Sequence, residues 1–254
     1  MLLRYLFPES ILHNQDRVDK PTSKQLIMTH TLNPQKDILL TAYNSISLYQ
    51  IGADSLEEFS KFVFDRYAYH YSKKHAWSPD EGDLEEMIES DKAHFKNSFY
   101  LAFKNDRGQI LGTLKATLKD GSISFPIENE FNLNLEEEVL TRGIYTNSFW
   151  HYGRLAIHSQ ELREMNIGVN SREVFKQLFI HGFKMISNEP GNHMIAESDA
   201  LIYDLFHEMH INMQTLGEAK DYLGSPTYPV IITSHDIFKW LESHGEVVPQ
   251  PALA

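Results

Sequence analysis

The sequence predicts an α/β fold, with a mixed central sheet of about six to seven strands and helices on both faces. Three observations carry this. Residues 148–186 read SFWHYGRLAIH, SQELREMNIGVN and SREVFKQLFIHGFKMI, a buried strand, a tight loop and an amphipathic helix. Residues 99–118, FYLAFKNDRGQILGTLKATL, read as two strands joined at a turn around Asn105 and Gly108. Residues 193–209, HMIAESD followed by ALIYDLFHEM, repeat the passage from strand to helix, and a strand-helix-strand unit implies a parallel connection.

The elements follow in order. Residues 1–44 are broken by Pro8, Pro21 and Pro34 and read as an N-terminal extension packed on the core. SISLYQIGA, residues 45–53, alternates as a first strand. A helix over roughly 56–71 sets Phe59, Phe62 and Val63 at helical spacing, with Arg66 and Tyr67 on related faces. The polar, acidic stretch 75–96 reads as a loop with a short helix, and residues 120–147 as a connection with a short helix near 135–141. Beyond the central stretch, INMQTLG and YPVIIT read as strands separated by a loop, DYLGSPTYP. HDIFKWLESH is a closing helix before a Pro-rich tail. The main domain is expected over 45–234, with a C-terminal helix and tail over 235–254.

Composition narrows the function. A hydrophobic fraction of 42% and a charged fraction of 23% are those of a globular protein, and no apolar run approaches the roughly 20 residues of a membrane helix. The apolar start MLLRYLFPES is too short for a secretory segment, so a cytoplasmic protein is expected. The absence of cysteine excludes a thiol nucleophile, thiolate-bound zinc and disulfides. A net charge of -12 argues against general nucleic-acid binding. It would also oppose an acidic partner protein unless a local basic patch intervened. His207, Glu208 and His210 lack the i, i+4 histidine pair of a zinc-protease helix, and no metal is expected.

The chemistry concentrates in the central stretch. Arg163, Asn166, Ile167, Gly168 and Val169 form a loop whose Asn and Gly tolerate left-handed backbone, so its amides can face an anion just before a helix. Asn170 is a candidate N-cap for that helix, with Glu173 three residues on.

This Arg-x-x-Asn-x-Gly loop resembles the Arg/Gln-x-x-Gly-x-Gly/Ala loop by which the GNAT N-acetyltransferase superfamily holds the pyrophosphate of coenzyme A, with Asn166 in place of the first Gly. A second set of residues narrows the resemblance. Arg66, Trp77, Asp91, the phrase GQILGTLKATL with Lys115, and Arg154 are similar, in order, to the signature of the acyl-homoserine-lactone synthases and long-chain N-acyl amino acid synthases. The likeness spans roughly residues 45–233. It implies a sheet with splayed parallel central strands and acyl transfer from acyl-CoA or acyl-ACP, acyl carried on acyl carrier protein, to the amine of a small acceptor such as an amino acid. Transfer of a short acetyl group, or a catalytically silent binding module, are the alternatives.

Three positions depart from that signature. Lys115 stands where Arg is usual, His94 at the second acidic position, and His151 where a Glu should precede Arg154 by three. These departures weaken the case for lactone synthesis and leave the broader acyl transfer. The resemblance implies that Asn166 to Val169 hold the donor phosphates, and that an amide near Ala156, Ile157 or His158 faces the thioester oxygen. Arg66, Trp77, Asp91, Lys115 and Arg154 would surround the acceptor. Arg154 either holds an acceptor carboxylate or pairs with Asp91. His151 and His158 are candidate bases, on opposite strand faces because their spacing is odd. Phe206 falls where a tyrosine acid is usual, leaving Tyr203 as the substitute.

Overall fold

The computed structural model describes residues 34–246, apart from 44, 76–78, 122 and 223–224. Seventeen helices and strands alternate along it. They are β1 (Ile38–Tyr43), β2 (Ile46–Gln50), α1 (Leu56–His75), α2 (Asp83–His94), β3 (Ser98–Asn105) and β4 (Ile110–Leu118), then α3 (Pro126–Asn129), α4 (Leu135–Thr141) and β5 (Ser148–Ile157). The chain continues through α5 (Ser159–Met165), α6 (Ser171–Ile186), β6 (Asn192–Asp199), α7 (Ala200–Glu208), β7 (Gln214–Thr215), β8 (Lys220–Tyr222), β9 (Ser225–Ile232) and α8 (Ser234–Ser243).

The sheet runs β1-β2-β3-β4-β5-β6-β9-β7, with β8 paired to β9, nine strands in place of the six or seven expected. The surplus has physical causes. DILLTAY forms an edge strand, β1, whose Ile38 and Leu39 stay exposed, so no alternation marks it. Pro226 and Pro229, which cannot donate to a ladder, suggest a loop, yet both sit inside β9. The rest of the expected extension, residues 1–33, and the tail beyond 246 lie outside the described residues.

All pairings are antiparallel except β5 with β6. Parallel neighbours need a crossover, and α5 and α6 supply it. Side chains alternate across the sheet into two cores. On one face α6, α7 and α8 bury Val174, Phe175, Phe179, Phe206 and Trp240 against Leu101, Leu114, Trp150 and Tyr152. The Phe179 and Phe206 rings meet edge to face at 5.1 Å. On the other, α1 and α2 bury Phe59, Val63 and Met87 against Tyr100, Ala102 and Ala156, while α3 and α4 bury Ile127 and Leu135 against Phe149, Ile195 and Ile231. The face carrying α1 to α4 therefore holds two separate helical layers, one over β3, β4 and the end of β5, the other over the start of β5 with β6 and β9.

The α6 face is closely fitted. A Cβ at Gly112 on β4 would come 2.7 Å from Cγ1 of Val174, so glycine lets α6 lie against the strand. The hydroxyl of Tyr152 is buried in this apolar layer without a hydrogen-bond partner. An unsatisfied buried hydroxyl is destabilising, so Tyr152→Phe should raise stability by about 1 kcal/mol. Urea denaturation of the two proteins measures this, and a clear loss of stability would contradict the packing described.

Candidate functional site

Strand β5 organises the site through one irregularity. Lys115 pairs with Gly153 and Thr113 with Ala156, so Leu114 alone opposes Arg154 and Leu155. This is a β-bulge, and Arg154 occupies it with φ 54°, left-handed backbone that a side-chain-bearing residue adopts only when held there. Thr113 Oγ1 donates to the carbonyl of Arg154 at 2.8 Å.

The bulge also corrects the sequence expectation about the two histidines. It inserts one residue into the alternation, so Ala156 packs on the α1 side, and His158, seven positions after His151, faces that side too. His151 and His158 therefore share a face despite their odd spacing.

Arg154 is held by Asp91 of α2. Its Nε donates to both carboxylate oxygens at 3.2 Å. Lys115 Nζ donates to Oδ1 and Ser60 Oγ to Oδ2, each at 2.8 Å, and the Asp91 side chain has no exposed surface. Burial works against this carboxylate, but Arg154 and Lys115 outweigh it and hold its pKa at about 2. Burial also draws Lys115 below its ordinary value, opposed by Asp91. Arg154 thus takes the pairing role of its two expected ones.

Around the junction of β5 and β6, His151 Nε2 lies 2.8 Å from Oε2 of Glu197, a residue of β6, and the imidazole stacks on Phe125 at 4.4 Å between centroids. Glu197 escaped the sequence reading. The signal was present, since a carboxylate follows directly on the apolar run Met194 to Ala196 of HMIAESD, but no spacing rule links a residue of β6 to one 46 positions earlier. His158 has a different occupation. Its Nδ1 accepts the amide of Glu161 at 3.2 Å and caps α5, and burial together with Arg66 lowers its pKa. Tyr203 lies on the opposite face, stacked on Tyr228 at 4.4 Å, and is not gathered with His151.

The expected anion loop is shorter than its motif. SQELREM is built of good helix formers, and α5 absorbs Arg163 into its last turn, where the side chain is exposed. Asn166 closes that helix in the left-handed region at φ 49°, Gly168 is left-handed at φ 75°, and Asn170 Oδ1 accepts the amide of Glu173 to start α6. Ile167 and Val169 pack against the core between them. The turn 166–170 thus joins the C-terminus of α5 to the N-terminus of α6. The backbone near it is partly spent: the amide of His158 donates to the carbonyl of Leu111, so it is no oxyanion donor, and alternation turns the amide of Ile157 the other way, toward β6.

β5 and β6 pair only from Ser148 to His151 and from Asn192 to Ile195. The remaining halves, up to Ile157 and Asp199, share no ladder, so a wedge opens beside Ile157, and Val174 near the start of α6 packs with Ile157 around Gly112. Arg66 lies elsewhere, over the ring of Tyr69 at 5.4 Å and lining, with His158, Phe62 and Glu161, a pocket of about 220 Å³. Trp77 falls outside the described residues. Among the described residues, no cluster of three or more His, Asp or Glu side chains is gathered as a metal site, and no helix is long and apolar enough to cross a membrane.

A mixed sheet whose two parallel strands stop pairing part-way, followed by a left-handed turn and a helix N-terminus, is the arrangement that the resemblance to the GNAT superfamily implies. Similar solved structures include FeeM, an N-acyl amino acid synthase from uncultured soil microbes, at 9% identity and a TM-score of 0.48 over 74% of this chain and 88% of that one. The acyl-homoserine-lactone synthase LasI is similar at 12% identity and 0.45, covering 83% of this chain and 100% of its own. A spermidine N-acetyltransferase from Vibrio cholerae, in complex with CoA and spermine, is similar at 9% identity and 0.43, covering 76% and 98%. No protein-family model matches the sequence, and no curated protein matches it.

His94 does not join the Asp91 cluster, although it stands at the expected second acidic position. Its Nδ1–H donates to the carbonyl of Ser90 at 2.8 Å, and burial, reinforced by Lys115, lowers its pKa to about 4. The folded protein therefore resists a proton that the unfolded chain accepts near its ordinary value of 6.5. Stability from this group is complete above pH 6.5 and falls as the pH drops toward 4, by on the order of 2 kcal/mol. His94→Gln, which keeps a donor, should flatten that part of the profile, measured by urea denaturation between pH 7 and 4.

Proposed function

We propose that the chain is an N-acyltransferase, moving an acyl group from a thioester donor, acyl-CoA or acyl-ACP, to the amine of a small acceptor. The parting of β5 and β6 carries this reading. Two buried strands that stop pairing leave backbone groups without partners, and such groups are retained when a ligand satisfies them. An extended thioester arm can lie in the wedge, its carbonyl accepting the amide of Ile157, while its phosphates meet the 166–170 turn and the N-terminus of α6.

The chemistry needs a group to take the amine's proton, and His151 suits it better than His158. The His151 Nε2–H donates to Glu197, which fixes the tautomer and leaves Nδ1 as the basic nitrogen. That nitrogen lies beside Gly153, where an added Cβ would come within 4.0 Å of it. The same His–carboxylate logic orients the base in many acyl transfers. His158 is occupied as a helix cap. An amino acid and a simple amine are both open as acceptors to this chemistry, as are short and long acyl groups.

Calorimetry with CoA tests the donor half, and the absence of saturable binding of CoA and of acyl carrier protein would sink the reading. Turnover tests the rest, read as thiol released from acyl-CoA thioesters of increasing chain length against a panel of amines. His151→Gln should lower kcat about 100-fold with CoA affinity unchanged. His158→Asn, which keeps a capping side chain, should leave kcat near wild type.

A further inference from the structure

We propose that Glu197 is the residue that binds the acceptor, receiving its ammonium group on Oε1, and that it selects primary alkylamines lacking a carboxylate beside the reacting nitrogen. This rests on the acyltransfer reading and narrows its acceptor.

The observation is an unmatched half of one carboxylate. The Glu197 side chain is only 9% exposed, and Oε2 is matched by His151, but Oε1 is buried without a hydrogen-bond partner. A carboxylate oxygen left dry is costly in a folded protein, and a donor that arrives with the substrate removes the cost. An ammonium group supplies three donors and the opposite charge. Glu197 stands two residues past Ile195, the last residue of β6 paired with β5, so it points from the strand where the wedge has begun to open.

The surroundings favour a cation. Tyr67 and Tyr71 of α1 meet edge to face at 6.0 Å, and Tyr222 of β8 lies against Phe131 at 6.2 Å. Tyr67 and Tyr222 both feel the charge of Glu197. Burial is the first cause that raises Tyr67, to about 12, with Asp199, Asp91 and Glu197 adding to it and Arg154 opposing. Burial first, then Glu197, raises Tyr222. The tyrosines stay neutral, so they leave the charge of Glu197 for a cation.

The same geometry disfavours an amino acid. Besides Arg66, the two cations that the sequence resemblance sets around the acceptor, Lys115 and Arg154, are both bound to Asp91. Asp199, two residues beyond Glu197 on the same strand face, adds a second negative charge. A carboxylate one carbon from the reacting nitrogen would meet both acids.

The step balances without a further reagent. The bound ammonium gives one proton to the His151–Glu197 pair, which passes it to solvent. The freed lone pair forms the N–C bond, the C–S bond breaks with its electrons on sulfur, and the thiolate takes the second proton. The products are an amide, a thiol and one proton.

Isoamylamine and leucine form a matched probe pair, since they differ by one carboxylate. With the full chain, titration calorimetry of each should show isoamylamine binding at least tenfold more tightly than leucine. Glu197→Gln should lose at least tenfold of the isoamylamine affinity and none of the CoA affinity, and Glu197→Asp should recover part of it. Equal or tighter binding of leucine, no measurable isoamylamine binding, or full isoamylamine affinity in Glu197→Gln overturns the proposal. The comparison of the two probes on the wild-type chain decides it even if Glu197→Gln does not fold. If isoamylamine binds through Glu197 while CoA and acyl carrier protein do not bind, the acyltransfer reading falls and the ammonium site stands.

Discussion

The carboxylate of Asp91 is the point on which the site depends. It joins four elements: Ser60 from α1, its own helix α2, Lys115 from β4 and Arg154 from β5. Tyr100 of β3 adds a fifth by donating to the Asp91 backbone carbonyl at 2.9 Å. Two cations around one buried anion would be unfavourable without such dense hydrogen bonding, and removing the anion would leave both charges stranded. The cluster therefore clamps α1 and α2 to the sheet and holds Arg154 in a backbone conformation it would otherwise avoid. The bulge at Arg154 sets which residues of the last part of β5 face the helices α1 and α2.

The parts of the fold legible in the sequence were those with a local signal. The aromatic strand β5, the helix α6 with its apolar stripe, and the hairpin of β3 and β4 all follow from periodicity and turn residues. In that hairpin Asn105 Oδ1 accepts the amides of Arg107 and Gln109, and Gly108 takes φ 79°. Elements whose character comes from tertiary context were harder to read. β1 is an edge strand without alternation, and β9 carries prolines that local rules assign to a loop.

The site divides in the same way. The left-handed Asn166 and Gly168 and the cap at Asn170 are properties of single residues and were visible as such. The helix that absorbs Arg163 was hidden because the eye of a motif falls on Asn and Gly, not on the helix formers before them. Glu197 was hidden for a different reason: its partner and its missing partner are both defined by strand pairing. The bulge was invisible because nothing in GRLAIH announces a left-handed arginine; only the Asp91 cluster, drawn from four segments, makes that conformation favourable.

The bulge has a bearing on how such a strand can change. β5 is in effect two strands in series with different phases: up to Gly153 one parity of positions faces the helices α1 to α4, and from Arg154 onward the other does. Within each half, exchanging residues alters one face and leaves the other half's assignment untouched. The segment that carries His151 and the segment that lines the wedge can therefore be varied separately. Loss or gain of a single residue at the junction would instead exchange every inward and outward position downstream of it, converting wedge-lining residues into core residues in one event.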